Sequence, residues 1–210
     1  MEYCPNGNLL DYVSKNNIDN ISEKKKIIVG FLEAVKFLHN KGISHGDIKS
    51  DNVLLDKFMS PKLCDFGFSR TTIFAGEEYK NGTLYYASPE LFCDGYFNTL
   101  KSDIWAIGIT LYSLFEYQFP FQSGDQNSIV NQILSGKLSI RTGLNNNLKK
   151  LIEQCTLINP DNRPTIDDIL RHEFFSNREI ARKKKFLFPK TKALMNMTFK
   201  DTIVLDSNAE

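Results

Sequence analysis

Charge of one sign is what this sequence most lacks. Its 26 Lys and Arg face 25 Asp and Glu, a net of +1, so no global field points to nucleic acid or to an acidic membrane surface. Cysteine is sparse as well. Cys4, Cys64, Cys93 and Cys155 form no CxxC pair and have no His-rich neighbour, which argues against a zinc site or a disulfide framework and for reduced, partly buried thiols inside the cell. No apolar run approaches the ~18–20 residues of a membrane span. Met1-Glu2-Tyr3-Cys4-Pro5 also lacks the basic-then-apolar layout of a signal peptide. There is no internal repeat. What remains is 210 residues at 41% hydrophobic, 12% aromatic and 24% charged, enough to bury a sizeable core and unlike a disordered or collagen-like chain. The expectation is a globular protein of the cytoplasm or nucleus.

Helical patterns dominate. Ser22 is placed to cap a helix whose apolar residues Ile27, Ile28, Phe31, Leu32, Val35 and Leu38 recur at three- and four-residue steps before Gly42. Val53-Leu54-Leu55 and Pro61-Lys62-Leu63-Cys64 read as two short strands about a turn at 56–60. A second helix, about 101–115, is apolar almost all round and is expected at the centre of the core. Amphipathic segments near 127–134, 144–155 and 165–171 follow, separated by Gly, Asn and Pro. After Phe175 the periodicity weakens, and Arg182-Lys183-Lys184-Lys185 is a basic run that reads as a solvated patch in a tail.

The chemistry concentrates in His45-Gly46-Asp47-Ile48-Lys49-Ser50-Asp51-Asn52, followed thirteen residues after Asn52 by Asp65-Phe66-Gly67. A carboxylate, a lysine and an amide share one loop between a helix and a strand. Asn52 and Asp65, at adjacent strand ends, are oxygen donors suited to Mg²⁺. Asp47 is a candidate base, and Lys49 offers positive charge to a transferring phosphoryl group. Isolated Asp and Asn usually just cap turns, but the two clusters together at this spacing argue for a site.

These motifs resemble those of the eukaryotic protein kinase family, whose catalytic loop, D-F-G and A-P-E elements recur in this order. Gly82-Thr83-Leu84-Tyr85-Tyr86-Ala87-Ser88-Pro89-Glu90 resembles the peptide-binding loop, its A-P-E interrupted by Ser88. Ser102 to Gly108, Phe119-Pro120-Phe121, Asn159-Pro160 and Arg163-Pro164-Thr165 resemble later landmarks, so the likeness covers about residues 1–175, with 176–210 as a tail. It implies a protein-kinase-like, mainly α C-terminal lobe with a few short strands. The implied function is a serine/threonine kinase using ATP and Mg²⁺ on a protein Ser or Thr hydroxyl, with no nucleic-acid or membrane partner. Asp47, Lys49, Asn52 and Thr83 are the catalytic residues so implied, with Thr83 bonding towards Asp47 and Lys49, and Asn52 and Asp65 ligating the metal. The carbonyl of Glu2 and the amide of Cys4 would bind adenine over a floor at Leu54. Glu90 and Arg163 resemble a buried supporting ion pair, and Asp103 resembles the residue that ties down the catalytic loop.

Two departures matter. The glycine-rich loop, the Val-Ala-Ile-Lys strand and the glutamate-bearing helix are not in this sequence, which begins at the hinge-like stretch. The N-terminal lobe is thus missing from it, and little or no turnover is expected of the chain alone. A non-catalytic binding module is the alternative reading. Gly46 stands where an arginine commonly precedes the catalytic aspartate and receives an activating phosphate. Phosphorylation at Ser69, Thr71, Thr72 or Tyr79 is therefore not expected to be needed to order 65–90. The general run resembles the calcium/calmodulin-dependent branch, although Asn8 and Ser113 replace acids that favour arginine-rich peptides there.

Overall fold

The computed structural model describes residues 2–15, 20–71, 73–75, 84–121 and 124–176. Thr72, Tyr79, Thr83 and the basic run 182–185 lie outside the described residues. The chain divides into two compact units, Met1–Phe175 and Ser176–Glu210, and the first carries everything below.

Six helices and six short strands build this unit among the described residues. Helix α1 (Leu9–Lys15) starts where Asn8 Oδ1 accepts the Asp11 N–H at 2.8 Å, and it buries Leu9 and Val13 one turn apart. Helix α2 (Ile21–His39) begins two residues earlier than the expected Ser22 cap implies. Asn20 is the cap, its Oδ1 accepting the Ser22 N–H at 2.9 Å, so Ser22 donates a backbone amide from the first turn instead. Its apolar face, Ile27, Ile28, Phe31, Leu32 and Val35, is buried.

Helix α3 (Thr99–Glu116) buries almost every side chain from Asp103 to Leu114, as its all-round apolar pattern predicts. It stops at Tyr117, which turns left-handed at φ 54° and donates its N–H to Ser113 O. There the buried Lys24 of α2 donates to Leu114 O (3.2 Å) and Tyr117 OH (3.0 Å), over the rings of Phe115 and Tyr117. A cation so placed satisfies the end of α3 and joins the two longest helices. Helices α4 (Gln126–Ser135), α5 (Asn146–Cys155) and α6 (Ile166–Arg171) follow, capped by Asp125, Asn145 and Thr165.

Strands β1 (Ile43–Ser44), β2 (Val53–Leu55), β3 (Pro61–Leu63), β4 (Arg70–Thr71), β5 (Ile73–Ala75) and β6 (Tyr96–Asn98) pair only as antiparallel ribbons, β1 with β4, β2 with β3 and β5 with β6. One apolar core runs from Leu9 to Phe175, with Trp105, Phe31, Leu32 and Tyr112 fully enclosed. The ribbons carry the loops of the next section, and β2 buries Val53 and Leu55 in this core. Among the described residues, no helix is long and apolar enough to cross a membrane.

Candidate active site

The loop between β1 and β2 is held from below by one carboxylate. Asp103, buried in α3, accepts the backbone N–H groups of His45 (2.8 Å) and Gly46 (2.9 Å) and contacts His39 Nε2 at 2.9 Å. A charged acceptor taking two loop amides fixes the loop against the central helix. His45, fully buried, then ties this loop to the next. Its Nδ1 accepts the Asp47 N–H (3.3 Å), so its Nε2 is the donor to Cys64 O at 3.0 Å. Both ring nitrogens are thereby engaged.

Asp47, Lys49 and Asn52 come together. One Asp47 oxygen, Oδ2, accepts Lys49 Nζ at 2.7 Å and Asn52 Nδ2 at 2.8 Å. The same Nδ2 donates to Asp47 O, while a short 3-10 turn at Ser50–Asn52 carries the asparagine inward. Asp47 Oδ1 and Asn52 Oδ1 are left without a hydrogen-bond donor among the described residues. Asp65 is one residue beyond Cys64, whose N–H donates to Asn52 O at 3.0 Å. It is exposed and left-handed at φ 61°, and its Oδ1 accepts the Gly67 N–H at 3.4 Å. Thus the backbone of Cys64, next to Asp65, joins the cluster, while no side-chain contact links Asp65 to Asp47 or Asn52 among the described residues.

The N-terminal stretch lies along β2. Asn6 N–H donates to Leu55 O, Leu55 N–H donates to Gly7 O, and Asn8 bridges to the half-buried Leu54. Glu2 extends towards Lys62, and the Cys4 thiol points weakly back to Glu2 O. Burial, then Asp65 and the neighbouring Cys4, push the Cys64 thiol above its usual range, so it stays protonated at neutral pH.

The linking roles of three groups were not assigned from the motifs. His45 and Cys64 join the two loops, and Ser69 Oγ donates to His45 O at 3.2 Å. Only the histidine left a trace, as a polar residue placed just ahead of the Gly46-Asp47 pair. Among the described residues, no group of three or more His, Cys, Asp or Glu is arranged to hold a metal. A metal here would instead rely on the amide of Asn52 and the single carboxylate of Asp65.

Further out, Glu90 and Arg163 form the expected pair through two 2.7 Å hydrogen bonds. Tyr85 stacks on Phe119 with ring centroids 4.5 Å apart.

Residues 1–175 match the protein kinase domain family, and the chain belongs to that family. It is 33% identical over 189 residues to the serine/threonine-protein kinase kin-29 of Caenorhabditis elegans, covering 88% of this chain and 22% of that one. It is 36% identical over 178 residues to the serine/threonine-protein kinase Nek8 of Danio rerio, covering 82% and 25%. With the carbon catabolite-derepressing protein kinase of Secale cereale it shares 32% over 180 residues, covering 85% and 36%. The chain thus spans about a fifth to a third of the length of these relatives. None of the three carries a calmodulin-dependent name.

Proposed function

We propose that this unit is the phosphoryl-transfer lobe of a serine/threonine protein kinase, passing the γ-phosphate of ATP to a protein hydroxyl. One observation carries the reading. A buried Asp47 carboxylate is clasped on Oδ2 by Lys49 and Asn52, with no donor on Oδ1 among the described residues. The substrate hydroxyl approaches Oδ1, which orients it and takes its proton as the new O–P bond forms and the bond to the β-phosphate oxygen breaks. Lys49, fixed by its 2.7 Å bond to Asp47, lends positive charge to the transferring group and favours Ser or Thr over Tyr substrates. Thr83 would bond towards Asp47 and Lys49. Asn52 Oδ1 and the Asp65 carboxylate are hard oxygen donors that fit Mg²⁺. Held by these two residues, Mg²⁺ would supply positive charge to offset that developing on the phosphate oxygens. Adenine would meet the Glu2 carbonyl and Cys4 amide above Leu54. Four free thiols favour a reducing compartment, the cytoplasm or nucleus. Residues 176–210 are assigned to a tail outside the kinase domain.

The test is binding of a fluorescent ADP analogue to the 210-residue chain, titrated with and without Mg²⁺. Mg²⁺-enhanced binding that Asp65→Asn removes and Asp47→Asn keeps is the expected result. No Mg²⁺-dependent binding would sink the catalytic reading and favour a module that binds partners without chemistry.

A further inference from the structure

The two acid-bearing loops touch, backbone to backbone, at a residue the proposed chemistry does not use. Gly46 has φ +81°, and a Cβ built on it would lie 2.3 Å from the Phe68 carbonyl oxygen and 3.1 Å from the Phe68 Cβ. A Cβ does not approach a backbone atom so closely, and no rotamer change relieves the contact, because the clashing atom is main chain. Neither side can drift away freely. Gly46 N–H is bonded to Asp103 Oδ1 at 2.9 Å, beside the His45 N–H on Oδ2. Opposite, Ser69 N–H donates to Phe66 O at 3.0 Å, Ser69 Oγ donates to His45 O at 3.2 Å, and Arg70 pairs with Ser44 in the β1–β4 ribbon. Phe68 is pinned between these anchors.

We propose that Gly46 is a positioning residue, its missing side chain setting the separation between the loop of Asp47 and the loop of Asp65. The proposal rests on the kinase reading of that site. Asp47 follows Gly46 directly, and Asp65 lies three residues before Phe68, itself left-handed at φ 61°. Restoring an ordinary contact means parting the two backbones by about 1 Å, a displacement that costs on the order of tenfold to a hundredfold where groups must act together. Arginine, common at this position in the family, is therefore worse than glycine in this chain. Segment 65–71 is held by its own hydrogen bonds, by Ser69 on His45 O and by strand pairing, with glycine rather than a phosphate-receiving arginine at 46.

The experiment compares Gly46→Ala, Gly46→Arg and Gly46→Asn with the parent chain. Gly136→Ala serves as the control, since Gly136 also has a positive φ (+64°) and a Cβ there would meet Ile158 Cγ1 at 2.8 Å, at the end of α4. Amide exchange without nucleotide should rise about tenfold across Asp65–Thr71 in the three Gly46 variants and not in the control. The gain in affinity for the fluorescent ADP analogue on adding Mg²⁺ should shrink about tenfold in the Gly46 variants alone. Simple loss of folded protein would scale binding with and without Mg²⁺ equally. Asparagine tolerates positive φ yet keeps a Cβ, so it should behave like alanine, and it covers the case in which the arginine variant fails to fold. Parent-like exchange in Gly46→Ala or Gly46→Asn, or parent-like Mg²⁺ dependence in Gly46→Arg, overturns the proposal. If the parent itself shows no Mg²⁺-dependent binding, the kinase reading falls and the exchange arm alone decides the role of Gly46.

Discussion

Glu90 and Arg163 stand 73 residues apart in sequence and meet as a two-point fork, with the Arg163 side chain wholly buried. Arg163 also donates to the carbonyls of Leu157, Lys101 and Ile158 and lies over the Trp105 ring. Ser102 Oγ supplies Glu90 with a further donor at 2.8 Å. Every charge-bearing atom is therefore occupied, which is the condition under which a buried pair is tolerated. Arg163→Met strands a buried carboxylate and should cost about 3–5 kcal/mol in urea unfolding at neutral pH. Burial pushes the Glu90 carboxyl up, but the Arg163 and Ser102 hydrogen bonds and the Arg163 charge outweigh it and hold it below its ordinary value of 4.5. A depressed folded value contributes stability above the unfolded value, and that stability is lost as pH falls through the folded one. The parent chain should thus lose stability below about pH 4.5 more steeply than Arg163→Met, in which Glu90 is no longer held low. Equal slopes in urea midpoints across that range would remove Glu90 from the acid response.

At the level of elements, what was legible followed from distance along the chain. Helices α2 and α3 show in their own periodicity because their burial is a property of neighbouring residues. Helix α1 buries only Leu9 and Val13, too few to mark a pattern, and β1, β4, β5 and β6 are two or three residues long and exist only through pairing with remote strands. The site divides in the same way. Asp47, Lys49 and Asn52 were legible because one loop holds all three. The ties of Ser69 and Cys64 to His45 were not, since strand pairing brings them together across 24 and 19 residues. The packing of α3 on α5 was equally hidden, and it turns on Gly108. A Cβ there would lie 2.8 Å from Cys155 Cβ and 2.9 Å from Thr156 Cγ2. Gly108→Ala gains about 1 kcal/mol in helix propensity, whereas forcing a methyl into a filled contact costs about 1–3 kcal/mol. The crowded atoms sit at or next to the α5 backbone, so the loss should win and the urea midpoint should fall. A raised midpoint would show that α5 moves aside at little cost.

For the whole Met1–Phe175 unit, Trp105 provides a natural reporter. It is the sequence's single tryptophan, fully enclosed in α3 beneath Arg163. Helices α2, α5 and α6 belong to the same contiguous core as α3, so no helix carries an independent core that could survive alone. The Trp105 fluorescence and far-UV circular dichroism transitions in urea should therefore coincide. Site loops differ from the helices in one respect: their backbone bonds belong to ribbons of only two or three residues. Such bonds open without dismantling the core, so amides in Arg70–Thr71 and Ile73–Ala75 should exchange faster than those of α2 and α3 well below the unfolding midpoint. Equal protection throughout would mean that the site opens only when the core does. Slow exchange confined to the helices would mean a rigid floor carrying loops that are free to adjust. Asp103 joins the two regimes, because a residue of the most buried helix accepts the amides of His45 and Gly46 beside Asp47. Those two amides should share the protection of α3, and their early exchange would show that the loop is not anchored there.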